Sequence, residues 1–220
     1  MQHKARRLEL RRGYATDARS PASTTPKPPS DPAPSDTTPP DTPSDPPPTP
    51  SPHLPHLTPT GSAHMVHITH KPSTSRRAIA VGTVYFSNPT PLSLIRANAL
   101  KKGDVLGVSR IAGIMAAKKC PEIVPLCHPI ALSGVGVELR TKSPDDMAHG
   151  GVQVECEVAC AGATGVEMEA LTAVMGAALS VVDMCKAVDR FQRIGDVRVV
   201  RKEGGKSGVW AEEGWRSWRV

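Results

Sequence analysis

Val152-Gln153-Val154-Glu155-Cys156-Glu157-Val158-Ala159-Cys160 sets Val and Cys against Gln, Glu and Ala with a period of two, and Glu167 to Val188 follows it rich in Ala, Leu and Met and free of Pro. The first pattern is that of a strand with a buried face. The second predicts a helix about 33 Å long if continuous. Upstream, Val135, Val137 and Leu139 alternate in the same way, and the polar-rich stretch Lys142 to Gly151 separates the two runs, as in antiparallel strands with a loose connection. Ile79, Val81, Thr83 and Tyr85 alternate with Ala78, Ala80, Gly82 and Val84 in another strand from Arg77 to Phe86, and Ile194 to Lys202 predicts a last one. Between them, a short helix should begin after Asn88, with Pro89 and Pro91 near its first turn. Asp104 can cap a second helix whose buried face is read as Val105, Val108, Ala112, Met115 and Ala116, ending before Pro121. Pro125 to Pro129 is too proline-flanked for either regular element, so Cys127 and His128 should sit in a constrained turn. Mixed helices and antiparallel strands predict an α+β fold, an antiparallel sheet with helices packed on one face.

Composition restricts that fold to part of the 220 residues. Sixteen of the 23 prolines lie between Pro21 and Pro59, among Ser, Thr and Asp and almost no aliphatic side chains, a mixture unable to bury enough surface to offset its chain entropy. The expected organisation is a basic segment at 1–20, a Pro-rich linker at 21–60, one folded domain at 61–210 and a tail at 211–220. Residues 1–20 hold Arg6, Arg7, Arg11, Arg12 and Arg19 against only Glu9 and Asp17, the bias of a mitochondrial transit peptide or of a plain basic tail. A transit peptide would direct the protein to the mitochondrial matrix; otherwise it is expected in the cytoplasm. The net charge of +6 favours anionic partners, nucleic acid or phosphorylated metabolites. Aromatic content of only 3% argues against stacking of single-stranded bases. No run approaches the length of apolar residues needed to span a bilayer, so no membrane partner is expected.

Five cysteines with no paired framework point to a reducing compartment. Cys156 and Cys160 would lie about 13 Å apart on a strand and cannot share an ion. Cys127 and His128 are neighbours that rarely face one metal together. Cys120, Cys156 and Cys160 read as buried small hydrophobes, and no metal site is expected. Gly204-Gly205-Lys206-Ser207 fails as a P-loop because Val200 stands where that motif needs Gly. It still offers backbone N–H groups and a cation to an anion. His128 can bind phosphate or move protons, though a satisfied structural histidine is the plainer reading. Glu167 and Glu169 at a helix start are favoured by the macrodipole, and Asp183 with Lys186 could be a surface ion pair.

Taken together, Leu126-Cys127-His128-Pro129, Gly165-Val166-Glu167-Met168-Glu169-Ala170, Asp183-Met184-Cys185-Lys186 and Gly204-Gly205-Lys206-Ser207 resemble signature blocks of the MoaC family, the cyclic pyranopterin monophosphate synthases. Lys102-Gly103-Asp104-Val105 and Arg110-Ile111-Ala112-Gly113 add to the likeness, which spans about Met65 to Trp210 in the family's order. The resemblance implies a ferredoxin-like fold, a homo-oligomer built as a trimer of dimers, and no cofactor. It implies conversion of 3′,8-cyclo-7,8-dihydroguanosine 5′-triphosphate to cyclic pyranopterin monophosphate with release of diphosphate, in molybdenum-cofactor biosynthesis. An upstream radical enzyme is a candidate partner. By the resemblance, Asp183 matches a catalytic aspartate and Lys186 the lysine acting with it, and Lys102, His128 and Glu167 join the catalytic set. Leu126, Cys127 and His128 match one substrate-binding segment, Met168 and Glu169 the other, and Lys206 a substrate-binding lysine. Two departures stand out: Ala163 where the family commonly has Lys, and Val209 where it commonly has Asp.

Glu169 and Asp183 are fourteen residues apart, so on one straight helix they share nearly the same face about 21 Å apart. Each active site is therefore expected to combine two chains. The competing reading is an inactive member acting as an interaction protein through its Pro-rich arm; a nucleic-acid binder rests on charge alone. A chain beginning at Gly61 should keep wild-type turnover in a steady-state assay, because the preceding composition cannot join a core. Loss of folding or of most activity on that truncation would contradict the domain reading.

Overall fold

The computed structural model describes residues 57, 58 and 60–219; the basic segment 1–20 and nearly all of the Pro-rich segment 21–60 lie outside the described residues. Strands β1 (Thr74–Tyr85), β2 (Leu132–Lys142), β3 (Gly151–Gly162), β4 (Arg193–Glu203) and the short β5 (Trp210–Ala211) form one sheet in the order β2-β3-β1-β4-β5. Every pairing in it is antiparallel. Helices α1 (Thr90–Arg96), α2 (Val105–Lys118) and α3 (Cys120–Ile123) connect β1 to β2, and α4 (Glu167–Cys185) connects β3 to β4. Two interleaved β-α-β halves of this kind make the ferredoxin-like arrangement, with β5 added at one edge. The fold is α+β, as the alternation of patterns requires.

Local chemistry sets the helix starts. Asn88 Oδ1 accepts from the Thr90 N–H at 3.0 Å just before α1. Asp104 caps α2 by accepting from the Gly107 N–H at 3.0 Å. Pro121, expected only to stop α2, lies in the first turn of α3, where its missing N–H leaves no helical bond unmade.

The buried face of α2 differs from the expected one. Val105, Ser109, Gly113 and Ala117 are buried, whereas Val108 and Met115 are each 47% exposed. Close approach of α4 decides this. A Cβ on Gly113 would lie 3.0 Å from the Ala173 carbonyl oxygen, and one on Gly176 would lie 2.3 Å from the Ala116 Cβ. The crossing admits small side chains only, so the larger apolar residues of α2 turn outward.

Ala78, Ala80 and Val84 of β1, Val137 and Leu139 of β2, and the even-numbered residues Val152 to Cys160 of β3 form one core with the buried side of α4. Helix α4 is also long and apolar enough by length and composition to cross a bilayer, contrary to the sequence reading. Its buried residues, among them Ala170, Val174, Ala177 and Val181, belong to this protein core. The other face of β1 is covered as well. Ile79 and Val81 pack with Val200 against Trp215 and Trp218. The Arg140 guanidinium sits 3.9 Å from the Trp218 ring centroid, and the Ser217 hydroxyl donates to buried Glu155. Residues after β5 thus lie along the second face of the sheet.

Replacing Gly176 by Ala should lower stability. Overpacking costs about 1–3 kcal/mol, more than the gain of about 1 kcal/mol in helix propensity. Urea unfolding should give a lower midpoint for Gly176→Ala and a lower one again for Gly176→Val. An unchanged midpoint would mean that the helices separate at no cost.

Candidate active site

The turn that follows α3 carries Leu126, Cys127 and His128 to the N-terminal end of α4. The Cys127 N–H donates to the Val124 carbonyl at 3.0 Å, which tightens the turn. His128 Nε2 is 2.8 Å from the Val66 carbonyl oxygen, and since a carbonyl only accepts, Nε2 carries the proton. A cavity of about 290 Å³ opens here, lined by Val66, Ile68, Lys71, Leu126, Cys127, His128, Thr164, Gly165, Glu167 and Met168. Glu167 pairs with Lys202 Nζ at 2.8 Å. Glu169 lies behind this wall, 2% exposed, and accepts from the Cys127 thiol at 3.3 Å. Burial raises the Glu169 carboxyl above its ordinary value, and burial together with the neighbouring Glu169 pushes the Cys127 thiol up. Both groups therefore favour their neutral forms more than they would in water.

Lys71, Thr164 and Gly165 also line a larger cavity of about 970 Å³, completed by His70, Pro72, Thr74, Arg76, Ala163, Gly205, Lys206 and Ser207. Gly204 and Gly205 have φ of +87° and +73°, and a Cβ on Gly204 would lie 2.1 Å from the Ser75 carbonyl oxygen. Only glycine lets this loop lie against the start of β1. The result sets Lys206 among Lys71 and Arg76, a cationic wall suited to a polyphosphate. Ala163 borders the same wall, so the cation it lacks is missing where Arg76 and Lys206 supply others.

The remaining sequence-predicted residues gather at the opposite end of α4. Lys102 Nζ donates to the Asp183 carbonyl at 2.9 Å and to its Oδ2 at 2.5 Å, and Lys186 Nζ donates to Oδ1 at 2.5 Å. The hydrogen bonds from Lys102 and then Lys186 hold the Asp183 carboxyl down at about 2. It stays ionised between two cations, against the polarity of the helix C-terminus, which favours positive charge. The helix rise puts this cluster about 21 Å from Glu169. Within one chain the structure joins Leu126, Cys127, His128, Glu167, Met168, Glu169 and Lys206 around adjoining cavities, and Lys102, Asp183 and Lys186 in a separate cluster.

Sequence reasoning missed four neighbours. Lys202 pairs with Glu167, Lys71 and Arg76 line the basic wall, and Cys120 Sγ lies 3.8 Å from Cys127 Sγ. Lys202 and Glu167 are distant in sequence, so no spacing could reveal them. Cys120 and Cys127 flank a stretch bounded by Pro121 and Pro125, which was the one available signal.

Residues 65–205 match a family model described as the MoaC family. Among similar proteins, the cyclic pyranopterin monophosphate synthase of Pelotomaculum thermopropionicum is 52% identical over 148 residues, covering 67% of this chain and 84% of the relative. The protein of that name from Parvibaculum lavamentivorans is 52% identical over 155 residues, covering 70% and 94%. That from Rhodospirillum rubrum is 53% identical over 140 residues, covering 64% and 81%.

The raised Glu169 carboxyl links stability to pH. The folded state favours its protonated form, so the contribution is complete below the ordinary value of about 4.5 and is lost as pH rises through the raised value. Glu169→Gln, neutral throughout, removes that loss. Its unfolding free energy in urea should fall less than that of the wild type between about pH 4 and about pH 8. Parallel profiles would mean that Glu169 ionises at its ordinary value.

Proposed function

The chain belongs to the MoaC family, and we propose that it acts as a cyclic pyranopterin monophosphate synthase, a lyase of molybdenum-cofactor biosynthesis. The reaction converts 3′,8-cyclo-7,8-dihydroguanosine 5′-triphosphate to cyclic pyranopterin monophosphate and diphosphate. The observation that carries this reading is a pair of adjoining cavities that share Lys71, Thr164 and Gly165 and are lined, save for Lys206 and Ser207, by matched residues. One is walled by Lys71, Arg76 and Lys206, the other by Cys127, His128, Glu167 and Met168. The first fits a triphosphate, and the second offers hydrogen-bonding and proton-transfer groups to the rest of the nucleotide-derived substrate. Asp183, with Lys102 and Lys186, supplies a fixed anion between two cations for the proton transfers. Purified protein should release diphosphate and the cyclic monophosphate from the cyclo-nucleotide. Failure to turn it over would favour the interaction-protein reading.

The two clusters at the ends of α4 support a site shared between chains. A second copy, antiparallel across a two-fold axis, would bring Asp183 of one helix beside Glu169 of the other and create two equivalent sites. Val108, Ile111 and Met115 on α2 and Met168, Met175 and Leu179 on α4 are exposed apolar side chains, a surface that burial against other copies would stabilise. Association as a trimer of dimers would provide further contacts. When inactive Glu169→Ala and Asp183→Ala proteins are unfolded and reassembled together in equal amounts, each mixed dimer collects both lesions in one site and leaves the other intact. About one quarter of wild-type activity should return under random pairing. No recovery despite demonstrated mixed dimers would rule out the shared site.

A further inference from the structure

Behind the substrate-facing turn, buried Cys120, which has no part in the reaction just described, converges with Cys127 and Glu169. Cys120 Sγ and Cys127 Sγ are 3.8 Å apart, Cys127 Sγ is 3.3 Å from Glu169 Oε1, and the ligand atoms of all three lie within 4.8 Å of one another. Two thiolates about 2.3 Å from a tetrahedral zinc ion sit about 3.8 Å apart, and a thiolate and a carboxylate oxygen about 3.6 Å apart. The Cys120–Cys127 and Cys127–Glu169 spacings match that geometry to within a few tenths of an ångström, and the third pair lies within 4.8 Å. A separate observation also points to a missing ligand. Glu169 is 2% exposed, yet its Oε2 has no hydrogen-bond partner among the described residues. A buried carboxyl oxygen left unpaired is costly, and a cation would satisfy it. Thr172 Oγ1 lies 3.5 Å from Cys120 Sγ and can donate to it, as an outer group does when it orients a metal ligand.

We propose that Cys120, Cys127 and Glu169 form a site for one thiophilic divalent cation, zinc in biological terms, and that its occupation inhibits the enzyme. The three side chains supply two sulfurs and one oxygen, leaving the fourth tetrahedral position for water. On binding, both thiols give up their protons to solvent. Cys127 forms part of the wall of the 290 Å³ cavity, next to His128 and Met168. An ion there fixes the Cys127 and Glu169 side chains and withdraws both from substrate. The inhibitory half of this inference rests on the substrate-binding role proposed above. The metal-binding half does not.

Cys120 separates the site from the catalytic machinery, because it is fully buried and lines neither cavity. Reduced full-length protein, freed of metal, is titrated with Co²⁺ and read by its thiolate-to-metal charge-transfer absorbance, then back-titrated with Zn²⁺. Expected is a band saturating at one ion per chain, with the intensity of two thiolates, displaced by Zn²⁺. In Cys120→Ala the band should lose about half its intensity, and Co²⁺ affinity should fall at least about tenfold. Cys120→Ser provides the same comparison should the alanine variant fold poorly. Turnover of the wild type should be inhibited by Zn²⁺ and restored by a chelator, while Cys120→Ala keeps basal activity and resists Zn²⁺. A band absent from the wild type, or unchanged in both variants, would overturn the site. Equal Zn²⁺ inhibition of wild type and variant would overturn its inhibitory role. Should the protein turn over no cyclo-nucleotide even without metal, the proposed function fails, and the charge-transfer measurement still decides the metal site.

Discussion

The close antiparallel crossing of α2 on α4 sets which side chains meet at each end of α4. Gly113 and Gly176 leave no room for a side chain at the contact, and Ala116 and Ala173 complete it. Interiors pack at near-crystalline density, so such a contact fixes both the distance and the rotation of the two helices. The segment before α2 then lies at the C-terminal end of α4, where Lys102 reaches Asp183. The segment after α2 lies at the N-terminal end, where Cys127 reaches Glu169. Each of the two clusters thus depends on a loop anchored to one end of this helix pair. A change at the crossing would disturb both clusters at once, although it touches neither.

The same constraint explains what could be read from the sequence. Period-two runs such as Val152 to Cys160 and the uninterrupted Glu167 to Val188, helical as far as Cys185, revealed the elements, because a buried sheet face and a core helix impose patterns that survive in one dimension. Hydrophobicity does not mark the inward face of α2, because side-chain size decides that contact. Ser109 and Gly113 face α4 for their size, and Val108 and Met115 are displaced outward. In β1 both faces are buried, so alternation alone could not say that Ala78 and Ala80 face the helices while Ile79 and Val81 face Trp215 and Trp218. Candidate site residues were found through the resemblance of whole blocks, since His128 or Glu167 alone had plainer explanations. Lys71, Arg76 and Lys202 join the site through tertiary contacts, Cys120 packs behind it, and no spacing encodes those contacts.

Proton inventory distinguishes the two ends of α4 more sharply than their residue types do. Glu169 and Asp183 are both carboxylic acids, yet burial raises the first while Lys102 and Lys186 lower the second to about 2. Paired acids whose environments drive them apart can take opposite roles, one holding a proton and the other a fixed charge. Neither environment is accidental to the fold. Glu169 is buried because the 120–128 turn closes over the start of α4, and its thiol neighbours offer no positive charge. Asp183 is exposed at a helix end that disfavours anions, and it persists there because two lysines from different segments neutralise it. A reaction that must both donate and accept protons while holding a triphosphate needs both environments near one substrate. One rigid helix of nineteen residues separates them by about 21 Å, so the chemistry itself argues for a second chain.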